Sequence, residues 1–262
     1  MLEFARYYGR RRLRGTAVMT LGFAALVALY VWMFPSVSEG IDLDQYVASL
    51  PPALQQAFGL QSLGTIEGFL AAELYAFGWV LLLGIYFAYA AASLVADDVD
   101  RGRMDMLLSL PVSRSKVVLE KFASVLVPLV VVNVVTPVVV YAAVLGIDES
   151  ISVADLAMVH ALSIPYLLAT AGVGLLASVA FDRASVAQRV AAGGVFGLFL
   201  LDSVTAGTDV DWVGALSPSR YYDPTAILVH SEYDLAGAGI LVAAAVVLVA
   251  ASRAYFARKD IH

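Results

Sequence analysis

The sequence predicts an all-α integral membrane protein of six transmembrane helices, and three observations carry that expectation. The first is composition: 61% of the 262 residues are hydrophobic and 15% are charged. The mean hydropathy is +0.83, and the apolar share is far above the near-half of a soluble domain. The second is the length of the apolar runs. A hydrocarbon core about 30 Å thick takes ~20 apolar residues to cross, and six runs of that order fall near 16–35, 69–96, 122–146, 155–180, 186–203 and 235–256. The third is the placement of charge, which collects between these runs. One membrane domain over 1–262 accounts for the whole chain.

Taken in order, the first element is the segment LEFARYYGRRRLRG. Its Leu2, Phe4, Tyr7 and Tyr8 can enter a membrane interface while the arginines face anionic headgroups, so an amphipathic helix lying on the surface is expected. The apolar run that follows is span-length and lacks a small-x-small cleavage site, so it reads as a retained span and not as a cleaved signal. The second span is long enough to tilt or to continue beyond the bilayer. It carries Glu73, the most embedded carboxylate, and an ionisable residue at such depth is a functional candidate by default.

Between the second and third spans comes DRGRMDMLLSLPVSRSKVVLEK, dense in charge around an apolar centre. Asp97, Asp98 and Asp100 close the second span, Met104, Met106, Leu107, Leu108 and Leu110 form a compact apolar cluster, and Pro111 stops the helix. Ser113 can cap the next one. A helix this short needs a partner for its apolar face, and both the inner leaflet and another protein satisfy that need.

The third span holds Asn133, the one asparagine of the chain, four residues before Pro137. A proline there removes the hydrogen bond to the carbonyl of residue 133, so a kink is expected, with Asn133 or Thr136 available to satisfy freed groups. In the fourth span His160, Ser163, Pro165, Tyr166 and Thr170 repeat that situation. Helix kinks and contacts along a translocation path are both open readings of Glu73, Asn133, Pro137, His160 and Pro165. The fifth span is the shortest and carries Gly193 and Gly197 in a G-x-x-x-G arrangement that permits close helix approach, within one chain or to a second copy. Residues 204–234, with Trp212, Tyr221, Tyr222 and Tyr233, are expected to form short helices resting at the outer interface.

Basic residues near span ends are retained in the cytoplasm. Of the 16 lysines and arginines, all but Arg220 fall on the side of the termini and of the 97–121 loop. This predicts a multi-pass protein of the plasma membrane with both termini cytoplasmic and an acidic external face. Cysteine is absent, which excludes disulfides and thiolate metal sites, and no H-E-x-x-H or G-x-x-x-x-G-K-[ST] occurs. No cofactor, metal or nucleic acid is expected on this chain. An intramembrane enzyme built from His160, Glu73 and Asp155, or an ion-coupled transporter, are the alternative functions weighed.

Gly102, Asp105, Leu107, Leu108, Pro111, Val112, Ser113, Arg114, Val117 and Lys121 resemble the loop after the second span of type-2 ABC transporter permeases. The six spans, the basic N-terminal segment and the stretch LSPSRYYDPTAILV are similar to that family as well. One departure is that aspartates stand before Gly102 where glutamate is more usual, which leaves open what they pair with. The resemblance implies a coupling helix docking into a separate ATP-binding subunit, with two permease copies and two ATPases, and with ATP and Mg held by the partner. It implies that Met104, Leu107 and Leu108 are buried in the partner's cleft, with Arg101, Arg103, Arg114 and Lys116 at the rim and Pro111 ending the helix. Export of an unspecified substrate is the activity expected.

Overall fold

The computed structural model describes residues 3–40, 63–109 and 112–259. They form helices α1 (Glu3–Gly40), α2 (Ile66–Ala92), α3 (Ala96–Asp100), α4 (Met104–Leu108), α5 (Arg114–Ala123), α6 (Leu126–Leu145), α7 (Val153–Ala180), α8 (Ala184–Thr205), α9 (Pro224–His230) and α10 (Leu235–Arg258). Two 3₁₀ turns, Asp211–Leu216 and Pro218–Tyr221, lie before α9, and no strand occurs among the described residues. Six of the helical segments are long and apolar enough to cross a membrane. The fold is an all-α membrane protein, as the apolar runs foretold.

The chain winds around two central helices. In α2 and α7, 67% and 72% of the most apolar window is buried, against 17% in α8 and 22% in α10. Helix α7 packs on α10, on the second half of α2 and on α8, while α1 pairs with α6 on the other flank. The α2–α7 contact is backbone-close: a Cβ on Gly174 would stand 2.1 Å from the Ala88 carbonyl oxygen, so only glycine fits there.

Three features differ from the sequence expectation. The N-terminal segment is not a separate surface helix, because Glu3–Gly40 is one unbroken α1; Arg, Leu and Ala are good helix formers, and Gly9 and Gly15 do not stop them. The second span is not uniform, because Ala71–Leu83 is π-helical between two α-helical pieces. The residues 204–234 do form short helices, but Tyr222 is not at an interface: it is 3% exposed and stacks on Tyr166 at 5.5 Å. Trp212, by contrast, is 73% exposed.

Candidate functional site

The first turns of the apolar part of α1, near Arg12, the end of α10, helices α3 and α5 and the α7–α8 turn gather at one end of the bundle, called here the loop end. Asp98 and Lys121 form a buried ion pair there, their side chains 4% and 1% exposed, and Lys121 Nζ also donates to the Leu94 carbonyl at 2.6 Å. Arg103 donates to Asp98 at 2.7 Å and to Asp97 at 2.6 Å, and Arg101 donates to Asp97 at 2.7 Å. Asp100 accepts from the Ala184 amide at 3.2 Å. The aspartates whose partners the sequence left open thus bind α3 and the start of the loop to α5 and α8.

Two further ties close this end. Ser178 of α7 accepts from the amides of Val95 and Ala96 at 2.9 and 3.1 Å, which satisfies the backbone where α2 breaks before α3. Lys259 donates to the Val179 carbonyl at 2.8 Å and pairs with Asp182 at 2.7 Å, while its own carbonyl accepts from Arg114. A cation on the last carbonyls of α7 is favourable by the helix dipole.

Of the residues expected on the docking face, Met104 is 1% exposed and packs inside this chain, and Leu107 is partly buried against the same core. Among the described side chains of α4, Met106 is the apolar one that faces out, at 72%. Arg101 and Arg103 are engaged by Asp97 and Asp98, and Lys116 lies 3.7 Å from Glu120. The Leu108 side chain and Pro111 lie outside the described residues.

The mid-span candidates separate into two places. Asn133 donates to the Leu129 carbonyl at 2.9 Å and accepts from Ser163 at 2.8 Å, so it bonds to its own helix one turn back and to α7. His160 Nε2 lies 2.9 Å from the Tyr75 hydroxyl on the π segment, and its ring meets Trp79 edge-on at 4.8 Å. Asn133, Pro137 and His160 line one groove between α6 and α7. Pro165 sits within the unbroken α7. Glu73 is half-buried on the π segment and lines neither this groove nor the cavity described below.

No hydrogen bond joins any two of His160, Glu73 and Asp155 among the described residues. Asp155 accepts instead from Tyr233 at 2.5 Å and from Ser231 at 3.1 Å. Gly193 and Gly197 face no neighbour among the described residues, since a Cβ at either would meet nothing within 4 Å.

At the opposite end, a cavity of about 680 Å³ is lined by Asp202, Asp211, Ser219 and Arg220. Arg220 grips Asp211 through two hydrogen bonds of 2.8 and 2.5 Å and lies 3.6 Å from Asp202. Ser219 donates to Asp202 at 2.8 Å. The hydrogen bonds from Arg220 hold the Asp211 carboxyl below its ordinary pKa, and the same contact raises that of Arg220. Gly214 makes room for this cluster, because a Cβ there would stand 2.7 Å from Asp202 Oδ1.

Sequence reasoning missed Tyr75, Trp79 and Arg220 as members of polar clusters. Only Arg220 carried a signal, as the single basic residue away from the loop end. A family model described as ABC-2 family transporter protein matches residues 10–261. No curated protein matches the chain.

Proposed function

The chain belongs to the ABC-2 family of transporter proteins, and from that premise we propose that it is the permease of an ATP-driven exporter, moved by a separate ATP-binding subunit docked at its loop end. It is a membrane subunit of a transporter and not itself a catalyst. The absence of a G-x-x-x-x-G-K-[ST] sequence is consistent with ATP and Mg being held by the partner. The loop end carries the basic residues, which supports a cytoplasmic position for it and for both termini. The open Gly193–Gly197 face of α8 supports contact with a second permease copy.

The single observation that carries the coupling role is the buried Lys121–Asp98 pair, extended through Arg103. It joins α3 and the root of α4 to α5, which leads into the third span, so a push on α4 is delivered to the transmembrane helices and not absorbed in a loose loop. A partner shifts the permease between two states only by the free-energy difference it transmits through such a joint. Met106 and Leu107 would meet the partner, with nearby charges setting orientation and encounter rate more than affinity.

The test is copurification with a candidate ATP-binding subunit from the same genome, before and after Met106→Asp and Leu107→Asp. Loss of association together with loss of ATP-dependent transport is expected. Undiminished association and transport in both variants would overturn the docking assignment.

A further inference from the structure

Helices α1 and α2 run antiparallel and touch through aromatic side chains, Tyr30 on Phe69 at 6.3 Å and Phe23 on Trp79 at 5.3 Å. Towards the loop end they separate: α1 packs along Ile66–Leu83 and makes little contact with Gly84–Ala92. Across this wedge Arg12 reaches from α1 to the Ala90 carbonyl, 78 residues away in sequence, at 3.4 Å.

That bond is long and its acceptor is shared, because Ser93 Oγ donates to the same carbonyl at 2.9 Å. A guanidinium carries five donors in a planar fork. No carboxylate pairs with Arg12 among the described residues. The other partly buried cations of the loop end are answered within the chain: Arg103 by Asp97 and Asp98, Lys116 by Glu120, Lys259 by Asp182 and Arg114 by the Lys259 carbonyl. Arg12 is likewise only half-exposed, yet most of its fork is unengaged among the described residues. A cation drawn from water without a counterion is unfavourable, so the wedge favours an anion beside Arg12.

Two observations narrow the class of anion. Tyr86 stands within electrostatic reach of the guanidinium, and its hydroxyl makes no hydrogen bond among the described residues. A planar fork beside a hydroxyl donor suits a phosphate, which accepts paired bonds from an arginine and keeps an oxygen for a further donor. Arg12 also opens the 27-residue apolar stretch Arg12–Ser38, and the sequence neighbours of the two bonded residues, Leu13 and Tyr89, are 50% and 46% exposed. A phosphate carrying acyl chains gains from that apolar surface, whereas a free phosphate gains nothing from it.

We propose that the wedge between α1 and α2 at the loop end binds the phosphate of an anionic lipid, with the Arg12 guanidinium and the Tyr86 hydroxyl on its oxygens and its acyl chains against Leu13 and Tyr89. The site needs no ATPase, so its failure would leave the proposed coupling role standing.

The test titrates the full chain in detergent with dioleoyl phosphatidylglycerol and follows bound lipid by native mass spectrometry, with thermal unfolding in parallel. One lipid should bind more tightly than the rest and raise the Tm. Arg12→Gln should weaken that lipid about tenfold, the size of one charge-assisted hydrogen bond, and lose the gain in Tm while its lipid-free Tm stays at the parent value. Tyr86→Phe should weaken it about threefold. Arg14→Gln, at an exposed position of the same helix, should leave binding unchanged. Arg12→Lys keeps the charge without the fork and should fall between the parent and Arg12→Gln, which carries the test if the glutamine variant does not fold. Equal retention of dioleoylglycerol, which has the same chains and no phosphate, or equal weakening by Arg14→Gln would overturn the proposal. So would a lower lipid-free Tm in Arg12→Gln with lipid binding intact, or displacement of the lipid by millimolar inorganic phosphate.

Discussion

Lys121 and Asp98, separated by 23 residues, meet as an ion pair with both side chains at least 96% buried, at the base of the third span. Removing one member leaves a charge buried with incomplete compensation. Lys121→Met and Asp98→Asn should each lower stability by about 3 kcal/mol, whereas the double variant recovers most of the loss. Thermal unfolding in detergent checks this. Additive losses would show that the two residues act separately.

Gly174 and Gly193 should respond oppositely to the same methyl group. In Gly174→Ala the new Cβ runs into the Ala88 carbonyl, and overpacking of this kind costs about 1–3 kcal/mol. Gly193→Ala meets nothing within 4 Å among the described residues, so its monomer stability should be unchanged or slightly raised. A drop in dimer content for Gly193→Ala, read by mass photometry, would support a second copy at that face.

Tyr166 donates to the Val80 carbonyl at 2.6 Å, inside the π-helical stretch of α2. Tyr166→Phe removes that bond and should cost about 1–2 kcal/mol, with faster amide exchange centred on Ala71–Leu83. Gly84→Ala should mimic it, because its Cβ would stand 2.4 Å from the same hydroxyl. A variant as stable as the parent, with unchanged exchange, would show that the bond does not hold the π segment.

Asp211 predicts a pH dependence of one sign. Arg220 depresses its carboxyl pKa in the folded state, so the unfolded chain binds the proton more readily. The contribution is fully present above the ordinary carboxylate range near pH 4 and is lost as pH falls through the depressed value. Limited proteolysis within 206–222 should accelerate in that acidic window, and in Arg220→Gln at neutral pH as well. Cleavage that slows on acidification would contradict the assignment.

The fold was readable in sequence because span length depends on hydropathy and helical rise, both local quantities. Residues 122–146 and 155–180 were expected as spans and appear as α6, Leu126–Leu145, and α7, Val153–Ala180. The site was readable only in outline. His160 and Asn133 stood out as polar residues in apolar runs, yet Tyr75 lies 85 residues from His160, and Ser163 lies 30 from Asn133. Nothing in either local pattern names those partners. Met104 shows the same limit: a compact apolar cluster says that some side chain will be buried, not whether the chain itself or a partner buries it.

The sequence by itself determined the number of spans, the accumulation of charge at one end and the membership of a family, because hydrophobic run length, charge placement and motif order are properties of the chain as written. Only the tertiary structure decided that α2 and α7 are central, that α2 contains a π segment, that the Asp97–Asp98 pair is answered by Arg103 and Lys121, and that His160 keeps one nitrogen without a partner among the described residues. Those outcomes depend on which distant surfaces come within hydrogen-bonding reach. In a chain so uniformly apolar, burial alone does not rank one pairing of helices above another. Close backbone approach at Gly174 and the few polar side chains do.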